Sequence, residues 1–112
     1  MELIYEGVND NILVLEADGE LNVQTAERFV NDIEKVVDAG LQKVVVDCAK
    51  LEFVNSYGLS VLIRLHKHMA GRGGEVKLAN VSSGIYDVFD VVKFAKLFNI
   101  YPTREEAIEA FA

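Results

Sequence analysis

The chain has 112 residues, 51% of them hydrophobic, enough for one domain (1–112) with its own core. A net charge of −7 argues against a general nucleic-acid binder, which needs a cationic surface. No apolar run approaches the about 20 residues of a membrane span, and the N-terminus lacks the basic-then-apolar pattern of a secretion signal. The single Cys48 can form no internal disulfide and is read as an inert buried thiol, so the expectation is a cytoplasmic protein without membrane or nucleic-acid contacts.

In chain order, "ELIYE" and "NILVLEA" read as strands joined by the turn "GVNDN". "NVQTAERFVNDIEKVVDAG" reads as a helix: Ala26, Phe29, Val30, Ile33 and Val37 recur at helical spacing, Asn22 is placed as N-cap and Gly40 as the stop. "KVVVDC" is a continuous apolar run, as for a strand covered on both faces. A second helix is expected from about Ser56 to Ala70, ended by "GRGG", after which "EVKLANV" returns as a strand. "SSGIYDVFDVVKF" is a third helix with a serine cap, "KLFNIYP" a short last strand, and "TREEAIEAF" a closing helix in which Thr103 and Glu106 have capping-box spacing.

The order β-β-α-β-α-β-α-β-α predicts an α/β domain with a mixed, mostly parallel sheet of about five strands and about four helices. Right-handed crossovers place the carboxyl ends of the parallel strands on one edge, where sites of such sheets collect. Asp47 and the segment holding Ser56 are expected there.

The stretch "NSYGL", residues 55–59, opens the second helix. On a helical wheel Leu59, Leu62, Ile63, His66, Met69 and Ala70 share one face, expected to meet the sheet. Tyr57, Val61, Arg64, Leu65 and His68 share the opposite face, read as a partner-docking surface, with burial inside the same domain as the alternative. Residues 53–74 carry Arg64, Lys67 and Arg72 and no acid, leaving −10 on the rest of the chain. The first amides of a helix point outward and attract anions. Other helix starts hold Glu27, Asp87, Glu105 and Glu106, whereas this one holds none. A phosphate on Ser56 would meet free amides there and alter docking on the adjacent face. The simpler alternative is that Asn55 or Ser56 only caps the helix, and on these residues alone the cap is preferred.

"GELNVQTAERF", "VVVDCAKLEFVNSYGLSVLIRLHK", "GGEVKLANVSSGIYDVF" and "LFNIYPTREEAIEAF" together resemble the anti-sigma-factor antagonists of bacteria, a group of STAS domains, over nearly the whole chain. The resemblance implies a partner switch. The unmodified antagonist binds an anti-sigma factor that is also a serine kinase, and so frees a sigma factor. The kinase phosphorylates the antagonist at the start of the second helix, the complex separates, and a serine phosphatase resets it. The family's motif, Asp-Ser-Ser/Ala-Gly-Leu, reads here Asn55-Ser56-Tyr57-Gly58-Leu59. Ser56 matches the phosphorylated serine, Gly58 and Leu59 the helix start, and Asp47 the acid ending the central strand. Asn55, Asn22 and Tyr57 depart from the family's Asp, Asp and small residue. Fewer carboxylates ease the holding of a phosphate or remove what a kinase recognises; Tyr57 either fills a partner pocket or shields Ser56.

Three rival readings follow. An enzyme built on Ser56 would need a base, but His66 and His68 lie about 15 Å or more along the same helix, so no catalysis is expected. The two histidines, spaced i and i+2, make no metal site; His66 is placed on the core stripe and His68 toward solvent or a partner. No cofactor is expected, since "GRGG" is too short for a phosphate-binding loop and precedes a strand; nucleotide binding, which some STAS domains show, stays an alternative. The last rival is a constitutive binding module of a signalling complex that never uses Ser56.

Overall fold

The computed structural model describes residues 2–8, 12–91 and 96–111. Its elements follow the expected order: β1 (Glu2–Val8), β2 (Ile12–Leu21), α1 (Ala26–Asp38), β3 (Lys43–Val54), α2 (Ser56–Gly71), β4 (Glu75–Ala79), α3 (Ser83–Val91), β5 (Asn99–Tyr101) and α4 (Arg104–Glu109). Among the described residues the sheet has five strands, in the order β1-β2-β3-β4-β5. β1 and β2 pair antiparallel with Val8 opposite Ile12, as a hairpin requires, and the tip of the turn (9–11) lies outside the described residues. The other pairs are parallel.

This order decides the layers. Strands that step in one direction through right-handed crossovers carry all their connecting helices on one face. Accordingly Ala26, Phe29, Val30 and Ile33 of α1, Leu59, Leu62 and Met69 of α2, and Ile85 and Phe89 of α3 form one core with Leu15, Val44, Val46, Cys48 and Leu78. The last helix, α4, has no following strand and covers the other face, where Ala107 packs with Ile12, Val14, Val45 and Ala79. Lys77 also points to that face. It is buried with its Nζ 3.0 Å from Glu75 and over the rings of Phe111 and Tyr101, at 4.6 and 5.4 Å, an arrangement that keeps an enclosed cation paired.

Several boundaries differ from the sequence expectation. β2 and β3 continue past the end of β4 as a two-stranded ribbon, in which Asp18, Gly19, Glu20 and Leu21 pair with Lys50, Leu51, Phe53 and Val54. Two register shifts let "AKLE", which breaks the apolar run, remain in the strand. β3 therefore ends seven residues beyond Asp47 rather than near it. α1 begins at Ala26, and Asn22 opens the preceding turn instead of capping the helix: its carbonyl accepts from the Thr25 and Ala26 amides and its side chain from the Gln24 amide. Gly40, at φ +112°, stands two residues past the end of α1, where the sequence placed the stop of the helix. The third helix is described as far as Val91; the "VKF" that completes its expected span lies outside the described residues.

Candidate functional site

Asn55, in extended conformation, is the N-cap of α2, and its side-chain oxygen accepts from the Gly58 amide at 2.8 Å. Its own amide donates to the Leu21 carbonyl at the end of β2. Gly58 fits against the same point: a Cβ on it would lie 2.6 Å from the Leu21 oxygen and 2.9 Å from Val54 Cγ2. The helix thus starts wedged against the tip of the β2–β3 ribbon, and only a glycine permits that approach. Ser56 is the first residue of the helix and is exposed, and its hydroxyl makes no hydrogen bond among the described residues. The cap is therefore Asn55, and the serine hydroxyl is left free.

The first turn of α2 contains no acid, so its outward amides face solvent without a built-in counter-charge. α3 shares this property: Asp87 falls beyond its first turn, correcting the expected contrast between α2 and every other helix. Ser82, just ahead of α3, accepts from the Ile85 amide, as its cap role requires.

The face of α2 read as a docking surface is divided: Tyr57 and Arg64 are exposed and His68 half-buried, but its apolar centre is enclosed. Val61 is 3% exposed and Leu65 0%, both in the main core, because α1 lies alongside α2. Arg64 donates to Glu27 through both terminal nitrogens, at 3.3 and 2.9 Å. His68 lies 3.4 Å from Glu34 and 3.0 Å from Asp38, and Arg72 is 3.1 Å from Asp38. Arg64 and Arg72, two of the three cations that made residues 53–74 electropositive, are thus met by the acids of α1, and His68 turns to α1 as well. The Tyr57 hydroxyl also donates to Glu27. Arg64 and then Tyr57 hold the Glu27 carboxyl below its ordinary value. On the sheet side Leu59, Leu62 and Met69 are buried as expected, Ile63 and His66 are half-buried with the His66 ring 5.0 Å from that of Phe98, and Ala70 is exposed.

Asp47, expected at the same edge of the sheet as the segment holding Ser56, points away from α2. It projects to the α4 face, opposite the face that carries α2. There it accepts from the Ala49 amide, from Asn80 Nδ2 at 3.0 Å and from Arg104 Nε at 2.9 Å. Asn80 adopts the left-handed φ of +55° that brings it there. Arg104 also reaches Glu16, 3.3 Å away, and Lys50 pairs with the same Glu16 at 2.8 Å. Burial pushes the Asp47 carboxyl up, but Asn80, the Ala49 amide and Arg104 outweigh it and hold it below its ordinary value. Cys48, one residue on, faces the core, and burial with the nearby Asp47 charge pushes its thiol up to about 12. An unreactive thiol follows.

The exposed apolar groups at this end of the sheet are Val23, Phe53 and Tyr57, at 61%, 48% and 36%. Phe53 pairs with Glu20, and Leu21 with Val54; Val23 and Tyr57 follow these by two and three residues, so all three belong to the segments that meet at the ribbon tip, where Ser56 also lies. The sequence reading found Tyr57 but not Val23 or Phe53, since nothing in the local pattern sets them apart from core residues. Among the described residues no group of three or more His, Cys, Asp or Glu side chains is placed to hold a metal, and no helix is long and apolar enough to cross a membrane.

A five-stranded mixed sheet with three helices on one face, and a capped helix start presenting a free serine, define an α/β domain of the STAS type. The STAS domain profile matches residues 7–107, and the chain belongs to that family. BtrV of Bordetella bronchiseptica, named provisionally as an anti-sigma factor antagonist, is 29% identical over 102 residues, spanning 91% of this chain and 88% of its own. The crystal structure of TM1081 from Thermotoga maritima, similarly described, superposes with a TM-score of 0.90 at 23% identity, covering 96% of this chain and 92% of that one. The anti-sigma factor antagonist SpoIIAA in its unphosphorylated form gives 0.84 at 22%, covering 98% and 96%. The same Bacillus protein in its phosphorylated form gives 0.77 at 21%, covering 99% of this chain and 100% of that one. At these identities the superpositions establish the fold.

Proposed function

We propose that this protein is an anti-sigma factor antagonist that works in the cytoplasm by protein binding, without catalysis of its own. Its unmodified form binds an anti-sigma factor that is also a serine kinase, and so frees a sigma factor. Transfer of a phosphoryl group from ATP to Ser56 Oγ, with loss of the hydroxyl proton and release of ADP, ends that binding, and a serine phosphatase restores it.

The observation that carries this reading is the division of labour at the start of α2. Asn55 satisfies the cap, so the exposed Ser56 hydroxyl has no structural duty, and the helix start beside it holds no acid to oppose a phosphate. The names of the relatives point the same way. Because Val61 and Leu65 are buried, the docking surface moves to the rim formed by Val23, Phe53 and Tyr57 around Ser56. A dianion set among three apolar groups would oppose a partner seated there.

The test is binding of the partner anti-sigma factor by Ser56→Asp and Ser56→Ala proteins. The switch predicts that Ser56→Ala binds like the wild type and that Ser56→Asp binds at least tenfold more weakly. Equal binding by both variants would instead make the chain a constitutive module.

A further inference from the structure

The start of α2 is secured in four ways. Three use the backbone or enclosed atoms: the Asn55 side chain on the Gly58 amide, the Asn55 amide on the Leu21 carbonyl, and the close seat of Gly58 on that carbonyl. The fourth is made of exposed and half-exposed side chains. Glu27, in the first turn of α1, accepts at once from the Arg64 guanidinium and from the Tyr57 hydroxyl. Tyr57 is the residue next to Ser56. This connection is therefore the one of the four that a change of charge at Ser56 can undo while the helix stays folded.

Arg64 is also the cation of α2 nearest the helix start; residues 53–63 contain no other, and Lys67, His68 and Arg72 lie farther along. Long side chains on a helix lean toward its N-terminus, and the Arg64 head group meets Glu27 on the same carboxylate as the hydroxyl of Tyr57, the neighbour of Ser56. A phosphate there would compete with Glu27 for that guanidinium and repel the Glu27 carboxylate.

We propose that Tyr57, Glu27 and Arg64 form a clasp between α2 and α1 that is closed while the Ser56 hydroxyl is free and opens when Ser56 carries a phosphate. Opening releases the Tyr57 ring, so phosphate changes the shape of the docking rim as well as its charge. Tyr57, the departure from the small residue of the family motif, is then the positioning residue that converts the chemical state of Ser56 into a change at α1. This inference rests on the reading of Ser56 as the switch.

The experiment installs phosphoserine at position 56 of the full chain by genetic-code expansion. Melting temperatures are measured for the wild type, Tyr57→Phe, Glu27→Ala and the double variant, each with serine and with phosphoserine at 56. A closed clasp makes the two substitutions non-additive, because either one removes the same bond. With serine, the double variant is expected to lose less than the sum of the single losses by about 2 °C, the scale of one exposed interaction in a domain of this size. With phosphoserine, the losses are expected to add. Equal non-additivity in both states, or additivity in both, would overturn the clasp. Because the phosphate is introduced during synthesis, this outcome does not depend on whether cells phosphorylate Ser56, and failure of the clasp is told apart from failure of the switch.

Discussion

At the start of α2 the cap and the free hydroxyl belong to different residues, and the two can be separated by mutation. Asn55→Ala removes the acceptor for the Gly58 amide and should cost about 1 kcal/mol. Ser56→Ala removes a hydroxyl with no partner among the described residues and should stay within about 0.5 kcal/mol of the wild type. Urea unfolding of the two variants checks this; a larger loss from Ser56→Ala would return the serine to a structural role. The sequence placed both residues at this helix start but left open which one capped it, because Asn and Ser are equally good caps and the choice depends on backbone geometry at a single residue. Asp47 shows a different limit. Its motif position was legible, but its partners Arg104 and Asn80 stand 57 and 33 residues away in the chain, and no local pattern announces such pairs.

Among the elements, α2 corrects the reading most. A helical wheel shows that Val61 and Leu65 form a second apolar stripe, but not whether a stripe meets another helix or solvent. A usable cue lay in α1, where Glu27, Glu34 and Asp38 rise along the helix in the same order as Arg64, His68 and Arg72 rise along α2. Helices on one face of a parallel sheet run parallel, so charges that match in ascending order can zip them together. Each ion pair alone contributes little at the surface; the buried side chains between them supply most of the stabilisation, about 1.5–3 kcal/mol for each fully buried one. Val61→Glu or Leu65→Glu should therefore destabilise the domain by about 3 kcal/mol or more, since each buries an unpaired carboxylate. Thermal melts check it, and a near-native melting temperature for both would mean that the face is open. The strands show the opposite balance. Their number and order were legible from the alternation of period-2 and period-3.6 patterns, whereas the ribbon extension of β3 was not, because its register shifts interrupt the apolar run.

At the scale of the whole molecule, the Glu16–Arg104–Asp47–Asn80 network joins β2, β3, the end of β4 and α4, and so fixes the one described helix on its side of the sheet. Asp47 is held below the ordinary carboxylate value of about 3.9 that it regains on unfolding. The stabilisation it confers is therefore fully present above about pH 4 to 5 and is lost as pH falls through the lower folded value. Stability measured by urea unfolding should decline below about pH 4, and Asp47→Asn should flatten that decline while costing about 1–3 kcal/mol at neutral pH. An unchanged acid limb in Asp47→Asn would remove Asp47 from this role.

Whether the free serine is charged in the cell is tested most directly by peptide-resolved mass spectrometry of the protein from its native cells, in growth and under stress. It should find phosphate on Ser56 with an occupancy that changes with condition. An unmodified Ser56 in every condition would contradict the switch and leave a STAS domain that binds without being turned off in this way.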